Sequence, residues 1–243
     1  MKNLVVVVTG AGRGIGACVA ESFARDQARV VIAERDEATG SRTETGIRDG
    51  GGEVLFVRTD VGLPEEIEQL FARVREVYGG VDVLVNNAGF GRTGSLHELT
   101  VDDWDATMNT NLRGAFLCAR EAARSMRERG GGAVINIASI RAQAPDPLSI
   151  PYAASKAGVI GLTRALATAL APDRIRVNSV SPGWIETGEA MATAGSARHE
   201  AGLAGRPQDI ASACRYLADP ENQFITGADL VVDGGITRRL VFD

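Results

Sequence analysis

Lysine is nearly missing from this sequence. Of 26 basic residues only two are lysines, Lys2 at the amino terminus and Lys156 in the interior of the chain. Arginine stays protonated and cannot offer a tunable ammonium, which singles out Lys156. Cysteine is scarce as well. Cys18, Cys118 and Cys214 are widely spaced and form no Cys-x-x-Cys pair, which argues against a zinc site and against a disulfide framework. They read as buried free thiols of a reducing cytosol. His97 and His199 are isolated from any carboxylate cluster, so no metal is expected. No apolar run approaches the roughly 20 residues of a membrane span, and the apolar stretch after Met1 is too short for a signal peptide. The net charge of -5 gives no general reason to expect nucleic acid. What is left is a cytoplasmic chain of ordinary globular composition, with 243 residues, 44% hydrophobic and 23% charged.

What is present alternates between two periods. A solid apolar run of β-branched type at 4–8 reads as a strand buried on both faces, and 29–33, 54–57, 81–85, 133–138, 175–180 and 230–232 read as further strands. Between them lie amphipathic patterns: one from Ile15, one over 38–49 ending at three glycines, and one over 64–78 opened by Pro64. Further helix is expected over 99–130, from Tyr152 to about Ala171, and over 209–217. Asparagine is a poor interior helix residue, so Asn111 marks either a local kink or water site, or a plain exposed or capping residue. Strict alternation specifies an α/β fold of the doubly wound Rossmann type. The expectation is one seven-stranded parallel sheet, covered by helices on both faces, in a single domain spanning 1–243. Residues 184–204 lack firm periodicity and read as a mobile substrate lid with short helices.

Four stretches carry chemistry. Thr9 to Gly16 follows the first strand and opens a helix, the setting in which small residues and free N–H groups hold a phosphate. Glu34 ends the second strand, 20 residues after Gly14, where a dinucleotide fold places an acid on the adenosine ribose. A carboxylate there repels a 2′-phosphate and argues for NAD, whereas Arg13 and Arg35 could clamp that phosphate and argue for NADP. Asp60 suits either a turn or cap, or the adenine amine. Asn86 and Asn87 at the end of the fourth strand can tie neighbouring strands or line a cofactor. Ser139 ends the fifth strand. Tyr152 and Lys156 are spaced i,i+4 on a helix, so a phenol and an ammonium share a face. A nearby positive charge favours a phenolate. The same spacing would also fit a polar pair on a surface helix.

Taken together and in this order, Thr9 to Gly16, Asn86 to Gly89, Ser139 and Tyr152 to Lys156 resemble the short-chain dehydrogenase/reductase family. The likeness spans nearly the whole chain and includes Pro182-Gly183 and the closing Asp233-Gly234-Gly235. It implies that Tyr152 is the general acid and base, that Ser139 bonds the reacting oxygen, and that Lys156 lowers the phenol and binds the nicotinamide ribose. Asn111 would hold a relay water. Cofactor contacts would come from Gly10, Arg13, Gly14, Ile15, Gly16, Glu34, Arg35, Asp60, Val61, Asn87, Ala88 and Gly89. Others would come from Tyr152, Lys156, Pro182, Gly183, Ile185 and Thr187. Glu34 departs from the aspartate usual in NAD-preferring members.

The function that the resemblance implies is hydride transfer between NAD, or NADP, and a secondary alcohol or ketone. Substrate would sit among Ser139, Arg141, Gln143, Trp184 and Met191. The partners expected are a small molecule and copies of the same chain in a homotetramer or homodimer, with Gly158 and Gly161 allowing close packing, and neither nucleic acid nor membrane. One alternative is an NADPH-dependent 3-oxoacyl-thioester reductase, with Arg92 and Arg141 meeting the carrier. Another is a non-catalytic redox sensor, which would not need the intact Ser139, Tyr152 and Lys156.

Overall fold

Val5–Thr9 (β1) is buried at every position, so both of its faces meet protein. It lies at the centre of a sheet completed by Arg29–Glu34 (β2), Glu53–Arg58 (β3), Val83–Asn86 (β4), Gly132–Ile137 (β5), Ile175–Pro182 (β6) and Asp229–Val232 (β7). A computed structural model describes residues 1–187 and 204–238 of the chain. The seven strands run β3-β2-β1-β4-β5-β6-β7, and every neighbouring pair is parallel. The order reverses between β1 and β4. At such a switch point the flanking connections leave in opposite directions and open a crevice at the carboxyl ends of the strands.

The period-2 alternation of the strands sorts their side chains between two cores. Val6, Val8, Val30, Ile32 and Ile135 face Gly14–Arg25 (α1) and Pro207–Ala218 (α7). Val5, Val7, Val31, Leu84 and Val134 face Pro64–Tyr78 (α3) and Gly114–Glu128 (α5). Burying a side chain such as Phe23 or Leu84 completely contributes roughly 1.5–3 kcal/mol. Glu37–Asp49 (α2) covers β2 and β3.

Helix ends follow local chemistry. Pro64 occupies the first turn of α3 with Glu65 and Glu66 beside it, and Gly79 ends the helix in the left-handed region. Val101–Met108 (α4) opens with a reciprocal cap between Thr100 and Asp103. The stretch expected as one helix over 99–130 is divided: α4 runs into a π-helical turn, Asn109–Arg113, before α5 begins. Gly114 N–H reaches back to Asn109 O, one residue farther than an α-helix allows. The expected disturbance at Asn111 therefore takes the form of an inserted residue rather than a bend. Ile150–Ala169 (α6) starts two residues before Tyr152, with Pro151 in its first turn.

All three cysteines are free and buried, and burial pushes the thiols of Cys118 and Cys214 up to about 12. Gly158 accommodates Leu112 of the same chain, whereas Gly161 meets nothing within 4 Å. Among the described residues no helix is long and apolar enough to cross a membrane.

Candidate active site

The crevice begins at the seam between β1 and β4. Thr9 Oγ1 accepts the N–H groups of Asn87 and Ala88 at 3.1 and 3.0 Å. Asn87 Nδ2 returns the tie, donating to the carbonyls of Thr9 and Gly10 at 3.0 and 2.9 Å. Asn86 points the other way, donating to Ala115 O and to Asn136 Oδ1, while Asn136 donates to Thr163 Oγ1. The paired asparagines thus bind strand ends together, and Asn87 also lines the crevice. Gly10 adopts φ +64°, and a Cβ on it would lie 2.7 Å from Ala88 Cα, so both conformation and space call for glycine.

The first turn of α1 is left open for an anion. Its N-cap, Arg13, makes no side-chain cap, and the turn contains no acidic residue. Gly14 adopts φ +56°, and its missing Cβ would point towards Thr187, 3.3 Å away across the crevice. Free N–H groups, the helix dipole and this cradle suit a dinucleotide's pyrophosphate.

Glu34 is fixed by main chain alone: Oε2 accepts Gly12 N–H and Oε1 accepts Asp36 N–H, each at 3.1 Å. Arg35 and Arg92 flank the ring of Phe90, with guanidinium carbons 6.0 and 5.7 Å from its centroid. Asp60 makes the turn that was one of its two expected roles. Its Oδ1 accepts Gly62 N–H at 2.8 Å to make a turn, and the residue lines the crevice.

At the other end stand the candidate reacting groups. Ser139 follows β5 and caps the short turn Ile140–Ala142, where its Oγ accepts Arg141 N–H at 3.1 Å. Tyr152 lies on the first turn of α6, with Gly91 against its ring. Burial raises the phenol above its ordinary value, against the opposing pull of a hydrogen bond with Ser139 and the charge of Arg141. Lys156 is buried, and its Nζ donates to the carbonyl of Ile137 at 2.6 Å. Burial lowers this ammonium to about 8. Its Nζ is 5.6 Å from the centroid of the Tyr152 ring. The i,i+4 spacing therefore brings lysine to the face of the ring, while the groups pulling the phenol down are Ser139 and Arg141.

Asn111 is also buried, and both ends of its side-chain amide are engaged. Oδ1 accepts Phe90 N–H at 3.0 Å, and Nδ2 donates to Phe90 O at 2.9 Å and Ser155 Oγ at 3.0 Å. Both Nδ2 protons and one Oδ1 lone pair are thus taken, so a relay water could meet this residue only at the other Oδ1 lone pair or at its main chain.

One crevice of about 590 Å³ is lined by every residue expected to contact cofactor, together with Ser139. Arg141, Gln143 and Trp184 do not line it. Arg141 turns instead to Asp146, 3.5 Å away. Met191 and most of the expected lid lie outside the described residues. The two ends of that stretch meet where Ile185 bridges Gly205 and Glu186 N–H donates to Gly205 O. Sequence reading missed Thr59, Thr110 and the carbonyl of Ile137 in the lining. No side-chain signal marks a carbonyl acceptor, and isolated threonines at strand ends look like ordinary turn residues.

A family model described as Enoyl-(Acyl carrier protein) reductase matches residues 10–237. An uncharacterized oxidoreductase of Thermotoga maritima is 43% identical, the match covering 100% of this chain and 99% of that protein. Cis-4-hydroxycyclohexanecarboxylate dehydrogenase of Sinomonas cyclohexanicum is 39% identical, over 96% of each. The crystal structure of a short-chain type dehydrogenase/reductase from Mycobacterium marinum superposes with a TM-score of 0.91 at 34% identity, covering 97% of this chain and 96% of that one.

Proposed function

The chain belongs to the short-chain dehydrogenase/reductase family, an oxidoreductase acting on CH–OH groups, and on that premise we propose that it moves a hydride between NAD and a secondary alcohol or ketone with Tyr152 as acid and base. The observation that carries this reading is that Ser139, Tyr152 and Lys156 line the same crevice as the glycine turn of α1. Dehydrogenases of the family use NAD(P), and when bound this dinucleotide takes up or supplies the hydride.

The chain's own residues would do the rest. Main-chain N–H groups at the start of α1 hold the pyrophosphate. Lys156, fixed by Ile137 O, presents its ammonium to the nicotinamide-side ribose. Ser139, with one of its two lone pairs engaged by Arg141 N–H, offers its own proton to the substrate oxygen. Tyr152 removes the hydroxyl proton in oxidation and returns one in reduction. The carboxylate of Glu34, held by Gly12 and Asp36, is placed to receive the two hydroxyls of an adenosine ribose and to repel a 2′-phosphate. That supports NAD over NADP.

A small substrate is favoured over a carrier-bound thioester. The two arginines that a carrier would need are already paired, Arg92 with Asp103 and Arg141 with Asp146. The Sinomonas relative is named for a hydroxylated ring, a secondary alcohol of the proposed kind. The same reading includes a homotetramer or homodimer in the cytoplasm. Trp104 and Phe116 on α4 and α5 stay exposed, and Gly161 leaves an open place on α6.

The test is Tyr152→Phe. Turnover across a panel of secondary alcohols and ketones should disappear while NAD affinity, measured by calorimetry, stays within about twofold of the parent. Undiminished turnover in that variant would remove the mechanism.

A further inference from the structure

Gly12 has no side chain to restrict its backbone, yet it is held at both of its polar atoms. Its N–H donates to Glu34 Oε2 at 3.1 Å, and its carbonyl accepts from Thr43 Oγ1 at 3.1 Å. Thr43 lies on α2 and is buried. A Cβ on Gly12 would collide with Thr39 Oγ1 and lie 2.8 Å from Glu34 Cγ, so the glycine turn is seated against the start of α2. The helix is anchored independently of that turn. A Cβ on Gly40 would collide with the ring of Phe56, and Glu44 Oε1 accepts Phe56 N–H at 3.1 Å. Thr43 therefore stands at a fixed place, between two residues that grip β3.

The carbonyl and the following N–H of a trans peptide point in opposite directions. With Gly12 O turned to α2, Arg13 N–H is turned away from that helix, and Arg13 lines the crevice whereas Gly12 does not. Arg13 N–H has no partner among the described residues. A flipped peptide would put a carbonyl oxygen where this donor stands, and would repel an anion. We propose that Thr43 is a positioning residue for the cofactor: its hydroxyl holds the Gly12–Arg13 peptide with the N–H towards the crevice, where it meets a phosphate of the dinucleotide. The proposal rests on the reading of the crevice as a dinucleotide site. A rival acceptor for the same proton is Thr39 O, 3.2 Å away in the preceding turn of α2. A threonine that served only its own helix would use that carbonyl, and the glycine turn would not register its loss.

Thr43→Val keeps the branched shape and removes the hydroxyl. Two probes separate the phosphates from the rest of the nucleotide: ADP-ribose carries them and adenosine does not. By calorimetry, Thr43→Val should bind ADP-ribose about fivefold or more weakly than the parent, and adenosine within about twofold of it. Thr43→Ser, which keeps the hydroxyl, should recover the affinity for ADP-ribose. An affinity for ADP-ribose that is unchanged in Thr43→Val overturns the proposal. An equal loss for both probes does so too, and makes Thr43 a support of α2 and of the Glu34 end. Should Thr43→Val fail to fold, Thr43→Ser and Thr43→Ala decide as a pair, because both lack the methyl group and only one has the hydroxyl. Equal affinity for ADP-ribose in those two variants is equally fatal. A parent that binds neither NAD nor ADP-ribose defeats the dinucleotide reading and the proposal with it, whereas a parent that binds both, matched by Thr43→Val, defeats the proposal alone.

Discussion

Asn111 grips Phe90 by both ends of its main chain, accepting from its N–H and donating to its carbonyl. This pair of hydrogen bonds ties the π-helical turn between α4 and α5 to the segment after β4, directly behind Gly89 and Lys156. A Cβ on Gly89 would lie 3.1 Å from Asn111 Oδ1 and 3.5 Å from Lys156 Nζ. Asn111→Ala would leave the N–H and carbonyl of Phe90 and the hydroxyl of Ser155 without this partner. The expected result is a loss of about 1–3 kcal/mol in denaturant unfolding, together with weaker NAD binding. Unchanged stability and affinity would show that the clamp is dispensable.

Lys156 should oppose stability at neutral pH. Its ammonium is lowered by burial from 10.5 to about 8. The unfolded chain therefore binds more protons than the folded one between about pH 8 and 10.5, and stability rises with pH across that window. Below it the buried charge costs on the order of 3 kcal/mol. Lys156→Met should melt higher than the parent at pH 7, and the difference should shrink by pH 10. A melting difference that stays constant over that range would refute the argument.

Lys156→Arg tests geometry rather than charge. A guanidinium cannot fit the short approach to Ile137 O without pushing on Gly89 or Tyr152, and it titrates too high to be tuned. A fall of tenfold or more in kcat/KM is expected, with affinity for NAD reduced in parallel. Parental kinetics would mean that the site needs only a positive charge.

Glu34→Ser should reverse cofactor preference. It removes the carboxylate that would repel a 2′-phosphate and leaves Arg13 and Arg35 at the crevice to receive one. The ratio of kcat/KM for NAD to that for NADP should drop about tenfold or more. A parent enzyme that already favours NADP would overturn the assignment at once.

Much of this was legible in the chain because local pattern and tertiary demand agree. The four consecutive valines of β1 have to be an interior strand, since both faces of so apolar a run must be covered. Pro64 and Gly79 bracket α3 as their conformational limits require. The site resisted reading where main chain does the work. Glu34 is oriented by two N–H groups and Lys156 by a carbonyl, neither of which has a letter in the sequence. The inserted residue of the π-helical turn was visible only as an awkward asparagine. The i,i+4 spacing of Tyr152 and Lys156 says that two side chains can approach, but not that the ammonium donates to Ile137 O. Arg141, Gln143 and Trp184 follow site residues closely in sequence, yet they stand outside the crevice.

The seam held by Asn87 joins residues 77 and 78 positions apart. It follows that the proposed nucleotide site is completed late in synthesis. A growing chain that has released only β1, β2 and β3 possesses the glycine turn but not the floor beneath it, because β4 has yet to slot in beside β1. Tyr152, the proposed acid and base, arrives later still, on α6. Chains cut short by stalled translation or proteolysis before β4 would consequently carry the family's most visible motif and bind no dinucleotide.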